Sequence, residues 1–258
     1  MNGWINIYKP KGYTSTYCLN VIKSKFKLKK IGHAGTLDPL AEGVLPIAIG
    51  EATKSIPYFA KSKKNYLFEV SWGEETNTLD SEGVTTNVSV IIPCLKEINK
   101  VLHLFIGQID QVPPKFSAKK INGKRCYDLA RNNEEFELKP QKVTIFNLRV
   151  VSHHENKTSF LVSCGSGTYV RSLARDLAYA LNTFGYASKI LRSRYSHFSK
   201  KNTLAMDFLV KNVEKENFYK YLLDIRKVLI HIPSIKLEDK RIKLIKNGMK
   251  VSMLEEFG

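Results

Sequence analysis

The segment IGHAGTLDPLAEGVLPIAIG, residues 31–50, says more about the fold and chemistry of this chain than any other. Its glycines and prolines are spaced too closely for a helix, which predicts a loop up to Pro39 and then a buried strand at residues 44–49. Loops of this composition often carry catalytic groups. Asp38 precedes Pro39, and this disfavours helical backbone at Asp38. Its carboxylate therefore either projects from a turn or caps the short turn after Pro39.

Outward from this segment, hydrophobic periodicity predicts strands and helices in irregular alternation. Tyr66, Phe68, Val70 and Trp72 occupy alternate positions, as in a strand with one buried face. Further strands are predicted at residues 3–8, 44–49, 143–151 and 159–164, and helices from residue 14 or 15 and at residues 93–105, 168–181 and 207–229. Antiparallel pairs predominate over regular βαβ units. The predicted fold class is therefore α+β, with a mixed, mainly antiparallel sheet flanked by helices.

The composition predicts one large domain with a polyanionic partner. Hydrophobic residues make up 43% of the 258 positions, enough for a sizeable core. Lys and Arg number 41 against 24 Asp and Glu, which gives a formal net charge of +17. Such an excess favours binding to nucleic acid or to an anionic membrane surface, although Lys-rich chains that bind neither are also common.

Other patterns bear on compartment and exclude several kinds of site. The cysteines Cys18, Cys94, Cys126 and Cys164 are scattered, so reduced thiols are expected rather than a disulfide framework or a zinc site. A signal peptide and a membrane span are absent from the sequence pattern, so a cytoplasmic protein is expected. The sequence contains no dinucleotide fingerprint, Walker loop, nucleophile elbow or zinc-deaminase motif.

Two further segments carry candidate binding residues. GSGTYVRSLARD, residues 165–176, predicts a glycine turn into a helix, with Arg171 in its first turn and Arg175 one turn later. Arg171 is placed to bind a carboxylate or a phosphate, or else lies on the surface without a ligand. PPKFSAKKINGKRCYDLAR, residues 113–131, mixes basic and aromatic residues, which suits RNA, although Tyr127 and its neighbours also fit an ordinary helix core.

With these residues in view, the chain resembles the TruB family of tRNA pseudouridine synthases. The resemblance extends over residues 3–195 and rests on five segments in the family's order. They are KPKGYTS at residues 9–15, GHAGTLDPLAEGVL at residues 32–45, TNTLDSEG at residues 76–83, the basic segment at residues 113–131 and GTYVR at residues 167–171. The resemblance implies a pseudouridine synthase fold with its active site in a basic cleft.

The resemblance also implies roles for individual residues. Asp38 is implied as the nucleophile, Arg171 as its ionic partner and Tyr66 as the active-site aromatic residue. His33 is implied to fill the space left by flipped bases, and Leu191 to line the uracil pocket. The matching segments imply further substrate or RNA contacts at Lys9, Asp80, Lys119 and Tyr169.

The implied reaction is the isomerisation of uridine at position 55, in the T arm of tRNA. The bond from N1 to C1′ breaks and C5 joins the same carbon, so nothing is oxidised, and neither cofactor nor metal is expected. Asp38 attacks either C1′ of the sugar or C6 of the base, and the sequence leaves both open. Arg171 is the counter-charge that holds the carboxylate ionised. Tyr66 offers a ring for stacking and a hydroxyl for proton transfer from C5.

The chain departs from the family pattern at two places. Asn77 stands where the family usually has an acid, which affects a secondary polar contact. The family commonly ends in an RNA-binding PUA domain, whereas residues 233–258 are expected to be a tail, a vestigial or truncated PUA-like segment behind a catalytic domain of residues 1–232. A weaker or less selective grip on tRNA follows as a hypothesis.

The expected partner is the T stem-loop of tRNA, with no membrane and no obligate protein partner, and a monomer is the default expectation. Three alternatives stay open. The first is a non-catalytic tRNA-binding or tRNA-folding protein on the same scaffold, against which Asp38, Tyr66 and Arg171 together argue. The second is a pseudouridine synthase for another RNA. The third is a small-molecule enzyme with His33 and Asp38 as an acid–base pair, which the charge of +17 disfavours.

Overall fold

A computed structural model gives the fold of the chain and describes residues 1–121, 123–132, 134–230 and 232–251. The strands are β1 (Gly3–Lys9), β2 (Ile31–His33), β3 (Glu42–Ile49), β4 (Lys64–Trp72), β5 (Glu74–Thr76), β6 (Thr85–Val88), β7 (Gly107–Gln111), β8 (Lys120–Ile121), β9 (Lys124–Arg125), β10 (Gln141–His154), β11 (Lys157–Cys164), β12 (Gly185–Tyr195), β13 (Phe198–Ser199) and β14 (Leu204–Ala205). The helices are α1 (Ser15–Lys25), α2 (Leu95–Val101), α3 (Cys126–Arg131), α4 (Val170–Ala180), α5 (Met206–Asn212), α6 (Ile225–Val228) and α7 (Asp239–Lys246).

A mixed sheet forms the centre of the molecule. Its strands lie in the order β14-β1-β3-β12-β4-β11-β10-β7, with β2 paired to β3 and β13 paired to β12. Only the pairs β1–β14 and β3–β12 are parallel among the described strands, and the other pairs are antiparallel. The predicted α+β class with a mainly antiparallel sheet is therefore confirmed.

Strand β12 joins the two halves of the sheet, because it runs parallel to β3 on one side and antiparallel to β4 on the other. The approach of β12 to β3 depends on Gly43, which has a φ of 107°. A Cβ there would collide with the backbone carbonyl of Arg192. Glycine is thus needed at this position for both its backbone conformation and its lack of a side chain.

Helices cover the sheet and bury its apolar positions. Helix α4 buries Leu173, Ala174 and Leu177 in one core cluster with strands β4, β11 and β12. Helices α1 and α5 contribute Ile22 and Leu209 to a second cluster, over β1 and β3. The amino-terminal end of β3 and the start of α4 are thereby fixed against the same central strands, and the candidate site lies between them.

Most predicted elements are confirmed, but one segment that was predicted as a continuous helix is interrupted. The predicted helix at residues 207–229 is instead broken into α5, a 3-10 turn at Lys215–Tyr221 and α6. Leu223 pairs with Trp4 through two backbone hydrogen bonds, which pulls this part of the chain into an extended conformation. Asp224 then caps α6 by accepting a hydrogen bond from the Arg226 amide. Tertiary pairing has overridden the helical pattern.

The carboxyl-terminal segment packs differently from the rest. Helix α7 has no buried residue. Residues 252–258 of the predicted tail lie outside the described residues. No helix in the described ranges is both long and apolar enough to cross a lipid bilayer.

Candidate active site

A cavity of about 410 Å³ opens where the loop after β2 meets the start of α4. Its walls come from six parts of the fold: the loop before β3, strand β4, the segment before β8, the start of β10, the turn into α4, and strand β12. The lining residues are Gly35, Thr36, Leu37, Asp38, Ala41, Lys64, Tyr66, Ala118, Lys119, Gln141, Gly167, Thr168, Tyr169, Val170, Arg171, Ile190 and Arg192. The volume suits a ligand the size of a nucleoside.

The loop that carries Asp38 is held by the first turn of α1. The Ser15 hydroxyl accepts a hydrogen bond from the Leu37 amide (2.9 Å) and donates one to the Leu37 carbonyl (3.0 Å). The Gly12 amide donates to the Pro39 carbonyl at 2.8 Å. These bonds fix the backbone on both sides of Asp38 while its side chain stays 39% exposed.

Of the two predictions for Asp38, the turn cap and the projecting carboxylate, the geometry matches the second. The Ala41 amide is bound by the backbone carbonyl of Asp38, at 3.1 Å. The Asp38 carboxylate instead receives Nε of Arg171, at 2.9 Å. The Asp38 carboxylate is thus held in one orientation by a fixed guanidinium and is reachable from the cavity.

Arg171 lies in the first turn of α4 and uses all its nitrogens. Nε binds Asp38, and one terminal nitrogen binds the Thr78 carbonyl at 2.8 Å and Asp80 at 3.4 Å. The other terminal nitrogen donates to the Phe116 carbonyl at 2.9 Å. Because its side chain is only 5% exposed, the guanidinium is fixed in one orientation. The surface alternative for Arg171 is therefore wrong.

Tyr66 is 7% exposed and lines the cavity beside Arg192, its partner across the β4–β12 pair. Burial raises the pKa of the Tyr66 hydroxyl to about 12, and the nearby Arg192 only partly opposes this. The phenol is therefore protonated at neutral pH, and it places an aromatic ring in the cavity wall.

Arg192 belongs to the site although the sequence patterns did not single it out. Its side chain is fully buried and donates to the carbonyls of Val44 (2.8 Å), Gly35 (2.9 Å) and Thr36 (3.4 Å). It thereby ties the loop before Asp38 to the central strand. The available signal was strand periodicity, since Arg192 lies opposite Tyr66 and so faces the same side of the sheet.

The same periodicity corrects the prediction for Leu191. The cavity is lined by Ile190 and Arg192, and Leu191 is not among its lining residues. Leu191 is paired with Leu67 across the strands, so its side chain points to the face opposite Tyr66. Ile190 is therefore the apolar residue of β12 that meets the cavity.

Lys9 and Asp80 are also corrected, because both are buried. Lys9 is fully buried, and its ammonium donates to the carbonyls of Pro10, Tyr13 and Pro39. Asp80 is 4% exposed and accepts hydrogen bonds from the Thr78 hydroxyl and the Glu82 amide while it pairs with Arg171. Neither side chain is accessible to RNA. Lys9 instead braces the Asp38 loop, and Asp80 braces Arg171.

Lys119 and Tyr169 line the cavity and His33 does not, and the predicted contacts of Lys119 and Tyr169 with substrate or RNA stay predictions. Lys119 lies at 3.4 Å from the Gln141 side chain, and burial raises the pKa of Tyr169. His33 is half-buried, and burial together with Arg192 lowers its pKa, so its ring is neutral at pH 7. Its role in filling the place of flipped bases stays a prediction.

Metal ligation has no support among the described residues, where no three His, Cys, Asp or Glu side chains converge on a common point. The cysteines in these ranges are free, with Cys18, Cys126 and Cys164 buried and Cys94 exposed. The site is thus a carboxylate held by an arginine, a buried tyrosine, and a wall that carries further cations.

Comparison with known proteins gives consistent matches. A model of the TruB family of pseudouridylate synthases (N-terminal domain) matches residues 23–170. The tRNA pseudouridine synthase B of Caulobacter vibrioides is 41% identical over 255 residues, 98% of this chain and 82% of that protein. The enzyme of the same name from Ehrlichia ruminantium is 45% identical over 259 residues, 98% of this chain and 87% of that protein.

Solved structures match the same fold. A chain of a Cbf5-Nop10-Gar1 complex is similar with a TM-score of 0.71 and 26% identity, over 95% of this chain and 67% of that chain. A chain of an H/ACA RNP bound to a substrate RNA has the same TM-score of 0.71 at 22% identity, over 96% and 67% of the two chains. The second match bears on the fold alone.

Proposed function

Because the chain belongs to the TruB family of pseudouridylate synthases, we propose that it isomerises uridine to pseudouridine in the T arm of tRNA, with Asp38 as the nucleophile. The isomerase activity and the tRNA substrate follow from the family and from relatives named tRNA pseudouridine synthase B. The position in the T arm and the roles of individual residues are the finer part of the proposal.

The observation that carries the proposal is the pair of Asp38 and Arg171 at the cavity. A carboxylate that is 39% exposed and 2.9 Å from a buried guanidinium is reachable by a ligand and held in one orientation. The other two nitrogens of the guanidinium bind Asp80 and two backbone carbonyls. Arg171 therefore orients the Asp38 carboxylate and leaves its second oxygen for the substrate.

The reaction balances without any external reagent. The N1–C1′ bond breaks and the C5–C1′ bond forms, the proton leaves C5, and N1 gains a proton. Asp38 bonds transiently either to C1′ or to C6 and is released at the end, so it is regenerated. Tyr66, whose pKa is raised to about 12, enters the cycle as a neutral phenol that stacks on uracil and relays the C5 proton by passing its own hydroxyl proton on towards N1.

The neighbouring residues fit this role for the cavity. The target base must leave the RNA stack, which costs roughly a few kcal/mol. Contacts with the cavity walls then replace the lost base stacking. Ile190 and Tyr66 supply the apolar and aromatic surface, and Lys119 and Tyr169 lie where the RNA backbone would approach.

We propose a cytoplasmic monomer without an obligate protein partner, built of a catalytic domain of residues 1–232 and a tail of residues 233–258.

The test is incubation of a T-arm RNA hairpin with wild-type protein and with Asp38→Ala, followed by pseudouridine-specific mapping. We expect product from the wild type and none from Asp38→Ala, with RNA binding largely kept. Asp207→Ala is the matched control, because Asp207 is an exposed carboxylate on α5, 75% exposed, and should leave activity unchanged.

Each other outcome contradicts a different part of the proposal. Product from Asp38→Ala refutes Asp38 as the nucleophile. Product in full-length tRNA at another uridine, with none in the hairpin, refutes the T-arm target. RNA binding by the wild type without product in either RNA favours a non-catalytic tRNA-binding protein.

A further inference from the structure

Two cations, Lys64 and Arg192, line the cavity together with Tyr66, and they have no role in the proposed reaction. Lys64 opens strand β4 two residues before Tyr66, so both side chains project from the same face. Arg192 lies opposite Tyr66 on β12. The Lys64 ammonium is 5.2 Å and the Arg192 guanidinium 5.1 Å from the centre of the Tyr195 ring. Lys64 and Arg192 are called the cation pair below.

The cation pair has no counter-charge among the described residues. Asp38 and Asp80 are both taken by Arg171. Arg192 donates to three backbone carbonyls and interacts with the Tyr66 hydroxyl, and in the described chain neither Arg192 nor Lys64 forms an ion pair with a carboxylate. The other titratable groups around Lys64 are Cys164 on β11 and Tyr66 and Tyr195 in the sheet, and burial keeps all three neutral by raising the pKa of each.

Two uncompensated positive charges in a partly dry wall are costly unless the ligand supplies negative charge. The uracil base of uridine is neutral, but the reaction gives it a negative charge. If Asp38 attacks C1′, the electron pair of the N1–C1′ bond passes to uracil and leaves an anion spread over N1, O2 and O4. If Asp38 adds to C6 instead, the base becomes an enolate with its charge on C5 and O4. Both routes place negative charge on the same ring.

We infer that the cation pair stabilises the negative charge that develops on the uracil ring during the reaction, with Lys64 as a further catalytic residue that contacts the base. The inference rests on the proposed function of the cavity. Positive groups that are fixed before the reaction and aimed at developing charge are among the largest contributions to catalysis. No redox partner is required, because the charge returns to the new C–C bond and the ring is reprotonated at N1.

Lys64 is the member of the cation pair that tests the inference cleanly. Arg192 also holds the loop before Asp38 through three carbonyls, so its removal would displace the nucleophile. The Lys64 ammonium has no hydrogen-bond partner in the described structure and contacts only the Tyr195 ring, so its replacement changes mainly the charge. Lys63 provides the matched control, since it is exposed and its ammonium lies 4.7 Å from the Phe146 ring, away from the lining residues.

The experiment compares single-turnover rates of wild type, Lys64→Met, Lys64→Arg and Lys63→Met on a T-arm RNA hairpin at pH 7, with Kd for the RNA measured in parallel. We expect Lys64→Met to lower the rate about 100-fold, as loss of one preorganised charge contact does elsewhere, with Kd almost unchanged. Lys64→Arg should restore most of the rate, and Lys63→Met should resemble wild type. Thermal melting establishes that each variant folds.

A pH profile adds a second, independent measurement. Burial and the neighbouring Arg192 lower the pKa of Lys64 to about 8, so its charge is present below pH 8 and is lost above it. The wild-type rate should therefore fall as pH rises through about 8, whereas Lys64→Arg should keep its rate to higher pH. Lys9 has a similar pKa of about 8. If the rate of Lys64→Arg falls at the same pH as that of the wild type, the pH dependence belongs to Lys9, and this result contradicts the inference.

The outcomes separate this inference from the proposed function. A Lys64→Met rate equal to that of Lys63→Met overturns the inference and leaves the proposed function intact. If Lys64→Met raises Kd for the RNA and leaves the single-turnover rate unchanged, Lys64 binds an RNA phosphate, and this result also overturns the inference. If the wild type forms no pseudouridine, the proposed function fails and the inference falls with it.

Discussion

Arg171 shows how one residue can assemble a site from segments that are far apart in sequence. Its guanidinium joins the Asp38 loop, the turn at Thr78 and Asp80, and the backbone at Phe116. A lysine carries the same charge but has a single nitrogen, so it cannot reach these groups together. The orientation of the Asp38 carboxylate therefore depends on the shape of the arginine as well as on its charge.

At the residue scale, Arg171→Lys should lose both activity and stability. We expect the single-turnover rate to fall at least 100-fold, about what loss of one orienting group costs, because Asp38 loses its fixed partner. The free energy of unfolding should fall by about 3 kcal/mol, because the buried Asp80 loses part of its pairing. Urea unfolding and single-turnover assays measure the two effects.

Arg175→Lys is the control, since Arg175 lies one turn along α4 and binds Asp176 and the Val112 carbonyl outside the cavity lining. Its rate should stay near that of the wild type. An Arg171→Lys protein with the stability and rate of the control would show that the guanidinium geometry is not needed.

At the scale of elements, helix α1 and the Asp38 loop act as one unit. The helix starts at Ser15 with Thr14 as its cap, and the Ser15 hydroxyl then binds both the amide and the carbonyl of Leu37. Lys9 at the end of β1 adds a bond to the Pro39 carbonyl. The segment KPKGYTS is thus a support for the catalytic loop more than a binding surface.

Ser15→Ala should weaken this support without touching the substrate. Both polar groups of Leu37 would lose their buried partner, which costs about 1–3 kcal/mol of unfolding free energy. The single-turnover rate should fall more than Kd for the RNA rises, because the position of Asp38 relaxes. Thr16→Ala, at the exposed neighbouring position, should change neither quantity. Equal behaviour of the two variants would mean that the loop is held by its other bonds alone.

At the scale of the molecule, most of the net positive charge belongs to the domain that contains the candidate site. Residues 234–258 contain six Lys or Arg and four Asp or Glu, so +15 of the formal charge of +17 belongs to the remaining chain. Electrostatic attraction to phosphates scales with the charges that contact them. The grip on tRNA is therefore expected to come mainly from residues 1–233.

Removal of residues 234–258 tests this division. Because α7 buries no residue, the melting temperature should be unchanged. Affinity for tRNA should fall less than about tenfold, and the dependence of log Kd on log salt should keep most of its slope. The full-length chain measured in the same buffers is the control. A truncated chain that melts earlier, or that loses most of its tRNA binding, would contradict the division into catalytic domain and tail.

The sequence by itself determined the elements and the chemistry of the Asp38 loop. Strand alternation at Tyr66–Trp72, the glycines and prolines around Asp38, and the helix at Arg171 are local, because they follow from backbone sterics and from side-chain period. The sequence also predicted two alternatives for the Asp38 carboxylate, which either caps the turn after Pro39 or projects from it. It could not choose between them, since the choice depended on whether Arg171, over a hundred residues away, lay beside the carboxylate.

Only the tertiary structure decided which polar side chains face the cavity and which are buried as supports. Lys9 and Asp80 look like surface charges in sequence, yet their partners are carbonyls and an arginine that folding brings to them. Leu191 and Ile190 are equally apolar, and the pairing of β12 with β4 alone selects Ile190. Lys64 and Arg192 meet across that same pair of strands. Such contacts depend on long-range register, which no local pattern encodes.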